Sequence, residues 1–91
     1  MTDTPPSGTA PYHRTPTFTA MTVPSALTSE HSTKAGVWAL IHVEAGRLHY
    51  DEPRTGRALT LVAGDRAVVA PQEVHRVTLD ADAAFFVEFW R

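Results

Sequence analysis

The 91-residue sequence contains no cysteine. This absence excludes disulfide bonds, thiolate metal ligands and a cysteine nucleophile. The sequence also lacks the long apolar run of a signal peptide or a membrane-spanning helix. We therefore expect a cytoplasmic protein with no membrane partner.

Excess basic charge is missing as well. Eight Lys and Arg residues stand against ten Asp and Glu residues, and the formal net charge is −2. Because binding to a phosphate backbone draws on many basic side chains, we expect no nucleic-acid partner. The G-x-S-x-G motif of serine hydrolases and the glycine-rich nucleotide-binding motifs are also absent.

No segment has the apolar spacing of a long amphipathic helix. The apolar residues instead form short runs separated by turn-forming residues such as those at 52–56, which include Pro and Gly. These runs cover residues 37–43, 47–51, 58–62, 66–71, 73–79 and 84–90. The pattern predicts one all-β domain over residues 12–91, preceded by a flexible proline-rich leader at residues 1–11.

The run at 73–79 alternates in a way that assigns its faces. Glu73, His75 and Val77 share one face, whereas Arg76 and Thr78 lie on the other and suit contact with water. His75 is therefore predicted to point into the protein.

Glu88 lies on an apolar strand, between Phe86 and Trp90 on the same face. A buried carboxylate must be paired, protonated or bound to a metal. The sequence leaves two readings open: an ion pair with Arg76 or Lys34, or a carboxylate that belongs to a functional site.

Several blocks, in this order, resemble the TehB/YeaR-like domain family: "PYHRTPTFT", "VPSAL", "HSTKAGVWALIHVEAGRLHY", "VAPQEVHRV" and "FFVEFW". The resemblance covers residues 11–91. The family includes free-standing proteins and the N-terminal part of some tellurite-resistance methyltransferases. It implies a single cupin-like barrel, also described as a double-stranded β-helix or jelly roll.

Cupins usually hold a divalent metal with histidines and a carboxylate. This sequence departs from the cupin pattern because Thr33 follows His31 where a second histidine is usual. The resemblance still implies a metal set of His31, His75 and Glu88, which would suit Zn, Fe, Mn or Ni. The predicted ligand pocket around it consists of Thr33, Lys34, Trp38, His42 and Glu73.

Three functional hypotheses follow from this resemblance. The first is a small domain that binds a metal or a small anion in a response to oxyanions such as tellurite or nitrite. The second is a metal-dependent enzyme of the oxygenase or isomerase type, and the third is a metal-free structural barrel for dimerisation. We expect a small molecule or anion as ligand.

We also expect a homodimer, because the last strand is apolar on both faces and the core of so short a chain is thin.

Overall fold

The computed structural model describes residues 4–91. Within these residues the chain forms eight strands and one short helix. The elements are β1 (Pro11–Arg14), β2 (Phe18–Thr19), α1 (Ser25–Thr28), β3 (Trp38–Ala45), β4 (Arg47–Glu52), β5 (Arg57–Val62), β6 (Arg66–Val69), β7 (Arg76–Leu79) and β8 (Ala84–Trp90).

The strands form two antiparallel sheets. The larger sheet has the order β1-β8-β3-β6, and β2 also pairs with β8. The smaller sheet has the order β5-β4-β7. The two long strands β3 and β8 lie at the centre of the larger sheet, so their inward side chains form one wall of the interior.

Strand alternation explains which side chains form this wall. Ala39, Ile41 and Val43 of β3 are buried, and Ile41 and Val43 pair with Val87 and Phe85 of β8. Directly opposed residues in a sheet point to the same face, so both strands contribute to one apolar surface. It packs against buried residues of the smaller sheet, which include Leu48, Tyr50, Leu61 and Val77.

Gly46 makes the sharp connection between β3 and β4. Its φ is +64°, a left-handed conformation that glycine adopts without steric cost. A Cβ at this position would come within 2.7 Å of the Ala83 backbone. Any side chain at this position would therefore destabilise the turn from the larger sheet into the smaller one.

The prediction of an all-β fold is confirmed, and every predicted apolar run contains a strand. The single closed barrel is not: the described residues form two separate sheets without a shared backbone ladder. Side chains that face each other across the interior hold the two sheets together, so the sheets form a sandwich.

The chain segment at the predicted leader joins the larger sheet. β1 begins at Pro11, the last predicted leader residue, and Ala10 and Arg91 exchange backbone hydrogen bonds of 3.2 Å. Residues 1–3 of the predicted leader lie outside the described residues. In residues 4–91 no helix has the length and apolar character that crossing a membrane requires.

Candidate functional site

A cavity of about 480 Å³ lies against the inner face of the larger sheet. Its walls are mainly apolar and come from β3 and β8, with further contributions from β1, β2 and α1. These wall residues include Tyr12, Phe18, Leu27, Ala39, Ile41, Phe85, Val87 and Phe89. The polar part of the lining comes from Thr15, from residues 31–34 and from His75.

His31 and His75 lie side by side on the cavity wall. The His31 amide donates to the His75 carbonyl at 3.0 Å, and the His75 amide donates to the His31 carbonyl at 2.9 Å. This isolated antiparallel bridge brings the two ring centroids to 4.2 Å. The backbone, and not side-chain contact alone, thus pairs two histidines that are far apart in sequence.

Hydrogen bonds to the backbone define the proton position on both rings. His75 Nδ1 lies 2.8 Å from the Glu73 carbonyl, and His31 Nδ1 lies 3.0 Å from the Ser29 carbonyl. A carbonyl only accepts, so we assign the proton of each neutral imidazole to Nδ1. Each Nε2 is then an acceptor, and it makes no hydrogen bond within residues 4–91.

The surroundings of His75 favour its neutral form. Burial lowers the pKa of His75 below 6.5, and the neighbouring His31 lowers it further, whereas the hydrogen bond to the Glu73 carbonyl acts in the opposite direction. His75 therefore presents an acceptor nitrogen at neutral pH.

Thr33 and Lys34 line the same cavity. Thr33 Oγ1 donates to the Val37 carbonyl at 2.8 Å and accepts from the Gln72 amide at 3.2 Å, which ties the loop of His31 to the segment before His75. Lys34 is exposed at the cavity rim. It makes no ion pair with any other residue in 4–91.

Glu88 lies on the opposite face of the larger sheet from His31 and His75. It opposes Leu40 of β3, and its Oε1 lies 2.7 Å from His42 Nε2. The structure therefore brings together the two histidines of the predicted metal set but not its carboxylate. Residues 4–91 contain no group of three or more His, Asp or Glu side chains arranged to hold a metal ion.

His42 belongs to an aromatic cluster on this outer face. Its ring stacks on Phe86 at a centroid distance of 4.4 Å, and the Arg14 guanidinium lies 3.8 Å from the same Phe86 ring. Trp38 opposes Trp90 on the same face. Two of the predicted pocket residues, Trp38 and His42, thus lie outside the cavity.

Glu73 has a partner of its own. Although its side chain is only 9% exposed, Arg54 donates to both of its carboxylate oxygens, at 2.5 and 3.2 Å. This pairing satisfies the carboxylate, and Glu73 is not among the residues that line the cavity. The predicted pocket residues that do line it are Thr33 and Lys34.

A buried polar network supports His75 from behind. The Tyr50 ring stacks on His75 at 5.6 Å, and the Tyr50 hydroxyl donates to Glu52. Glu52 also accepts from Thr55 at 2.8 Å and from Arg57 at 3.0 Å. Burial alone would raise the pKa of Glu52, but these donors and the Arg57 charge outweigh it, and the pKa is lowered.

The same contacts act in the other direction on Tyr50. Burial and the hydrogen bond to Glu52 raise the pKa of Tyr50, so its hydroxyl stays protonated and keeps donating to the carboxylate. Sequence reasoning missed this network. The alternation of β4, which places Leu48, Tyr50 and Glu52 on one face, was the available signal.

Comparisons with known proteins bear on the fold and the family. The model of the TehB-like domain family matches residues 13–87. A crystal structure of a protein from Escherichia coli strain K12 superposes with a TM-score of 0.85 at 23% identity, covering 97% of this chain and 95% of that one. TehB from Haemophilus influenzae superposes with a TM-score of 0.81 at 24% identity, covering 92% of this chain but 32% of TehB. No curated protein matches the chain significantly.

Proposed function

Because this chain belongs to the TehB-like domain family, and because its sheets border a cavity of about 480 Å³, we propose that it is a small-molecule-binding domain of cupin-like, jelly-roll type. Small-molecule sites in proteins typically measure about 300–1,000 Å³ and combine apolar walls with a few polar groups. This cavity agrees in volume and in lining. The observation that carries the proposal is the fixed pair of His31 and His75 on a mainly apolar wall.

The apolar walls favour an organic ligand over an inorganic oxyanion. Tellurite or nitrite would leave the side chains of β3 and β8 without apolar contact, whereas burying apolar ligand surface contributes roughly 25 cal/mol per Å². The association with tellurite comes from TehB, and the match to this chain covers only about a third of the length of TehB. The test below therefore includes inorganic oxyanions as alternatives to an organic ligand.

The residues present do not fit the predicted three-ligand metal centre. A catalytic zinc site uses three protein ligands, and here Glu88 is bonded to His42 on the far face of the sheet while Glu73 is bonded to Arg54. We derive no catalytic step through a metal. Binding of a divalent metal ion stays a prediction, which calorimetric titration of the protein with ZnCl₂ would test.

The proposal is tested with a probe panel of 4-propylphenol, 3-phenylpropionate, 3-(4-hydroxyphenyl)propionate, tellurite and nitrite. We expect at least one aryl probe to shift the amide resonances of Ala39, Val87 and His75 in ¹H–¹⁵N spectra. If no member of the panel shifts these resonances at millimolar concentration, or if the shifts map elsewhere, the proposal is overturned.

A matched pair of variants on α1 ties the binding to the cavity. Ala26 lines the cavity and is exposed, so Ala26→Trp would fill the cavity without disturbing the core. Ser25 is the neighbouring exposed residue that does not line it, and Ser25→Trp is the control. We expect Ala26→Trp alone to weaken binding of the aryl probes. Equal affinities in the two variants would contradict the assignment of the site.

A further inference from the structure

The cavity lining carries a positive charge and no negative charge. Lys34 lies at the rim without an ion-pair partner in residues 4–91, and the lining contains no Asp or Glu. The carboxylates of Glu73 and Glu88 are bonded to Arg54 and His42. Electrostatic complementarity therefore favours a ligand with a negative charge at the rim.

The histidine pair needs a different ligand group. Each neutral imidazole uses its Nδ1 proton on a backbone carbonyl and presents Nε2 as an acceptor. A carboxylate beside two acceptor nitrogens would find no proton to accept, whereas a hydroxyl would donate to one of them. The group that suits His31 and His75 is therefore a hydrogen-bond donor without positive charge, because Lys34 disfavours a cation in the same cavity.

An apolar body connects these two ends. Phe85, Val87 and Phe89 follow one another along the inner face of β8, with Ile41 of β3 beside them. Such a surface suits a flat aromatic or branched aliphatic skeleton, whose burial supplies most of the affinity.

From these three observations we propose that the ligand is a small organic acid that also carries a hydroxyl group. Its carboxylate lies at Lys34, its hydroxyl donates to Nε2 of His75 or His31, and its apolar body lies against β3 and β8. This inference rests on the proposed function, since it names the class of molecule that the cavity takes.

The test compares four probes that differ by one group at a time. They are 3-(4-hydroxyphenyl)propionate, its amide, 3-phenylpropionate and 3-phenylpropanamide, titrated calorimetrically at low ionic strength. We expect the hydroxy acid to bind most tightly. Removing the hydroxyl should cost about five- to tenfold in affinity, the range of one hydrogen bond. Replacing the carboxylate with the amide should cost about threefold or more, because an exposed ion pair is modest in strength.

Variants assign each group of the ligand to its partner. Lys34→Gln should remove the preference for the acid over its amide and keep the preference for the hydroxyl. Arg76→Gln is the control, because Arg76 is exposed on β7 and does not line the cavity. His31→Phe and His75→Phe should each be tested for loss of the hydroxyl preference. His31 is only partly buried, so its variant remains informative if His75→Phe fails to fold.

The outcomes separate this inference from the proposed function. If all four probes bind at the cavity with equal affinity, the cavity is a binding site but the ligand class is wrong. If the acid and its amide differ equally in Lys34→Gln and in wild type, the assignment of the carboxylate to Lys34 is wrong. If none of the probes binds, the proposed function itself is overturned.

Discussion

His75 couples the cavity to the stability of the fold through its proton. It is 4% exposed, and burial is the main reason why its pKa lies below the ordinary 6.5. In the unfolded chain the imidazole therefore takes up a proton at a higher pH than in the folded chain. The unfolded state binds more protons in this window, so the free energy of unfolding must fall as the pH drops below about 6.5.

The corresponding experiment is urea denaturation of wild type and His75→Gln at pH 7.5 and 5.5. We expect wild type to lose more stability than the variant between these pH values. Glu52, whose pKa is lowered from 4.5, contributes stability that is lost only at more acidic pH. Thr78→Gln, a change at an exposed residue of β7 that does not titrate, is the control and should keep the wild-type slope. Parallel slopes in wild type and His75→Gln would contradict this account.

Tyr50 is the second residue whose role can be measured. Its side chain is fully buried and its hydroxyl donates to the buried carboxylate of Glu52. Tyr50→Phe keeps the ring against His75 but removes this donor, so we expect a loss of about 1.5–3 kcal/mol in the free energy of unfolding. Tyr12 is 45% exposed, and chemical denaturation of Tyr12→Phe should show almost no change. A similar effect of the two substitutions would rule out a structural role for the Tyr50 hydroxyl.

At the level of elements, the β3–β4 connection depends on the absence of a side chain. Gly46 and Gly56 both have positive φ, of 64° and 76°. Alanine at either position carries the conformational cost of that backbone, about 1–2 kcal/mol. Only at Gly46 does the added Cβ also meet backbone atoms at 2.7 Å, whereas at Gly56 it meets open space.

We therefore expect Gly46→Ala to destabilise the protein more than Gly56→Ala does, by about 1–3 kcal/mol, the usual range for overpacking. Thermal unfolding of the two variants measures the difference directly. Equal melting temperatures would mean that the Ala83 segment moves away without cost, and the close approach would then have no structural importance.

The strands differ in how well their own residues predict them. β3, β5 and β8 are mostly apolar and β4 alternates between polar and apolar residues, so composition and alternation alone predict these four strands. β1 is exposed along its whole length and begins with a proline, and β2 has two residues. An edge strand tolerates proline, but no apolar pattern in these residues predicts a strand. β1 and β2 form because they pair with the free edge of β8.

For the whole molecule, the two sheets explain how a chain of this size keeps an open cavity. The core cluster fills the space between β3, β4 and β8, and the cavity takes up the end near His31 and His75. The surface opposite the cavity carries the aromatic cluster around Phe86. Half of the apolar character of β8 is therefore directed away from the core.

The homodimer expected from that two-sided strand stays a prediction, and its measurement is direct. One chain has a mass of 10.0 kDa, so sedimentation equilibrium at micromolar concentration should give about twice that value if two copies associate. A mass near that of one chain would contradict the homodimer. It would leave the cavity proposals intact, since both histidines of the pair come from one chain.

The sequence by itself determined the all-β class, the strands β3 to β8 and the two faces of β7 and β8. It also singled out His31 and His75, through the resemblance of their blocks to a family. Alternation correctly separated Phe86 and Glu88 from Phe85 and Val87. It did not determine which of these two faces is the inner one, because both are apolar and a period of two residues defines only their relation to each other.

Only the tertiary structure decided that question. The smaller sheet packs on the face of Phe85 and Val87, and so Glu88 points away from the cavity and bonds to His42. The bridge between His31 and His75 likewise forms only when the loop before β3 meets the segment before β7. Contacts of this kind join residues distant in the chain, and no local pattern of side chains encodes them.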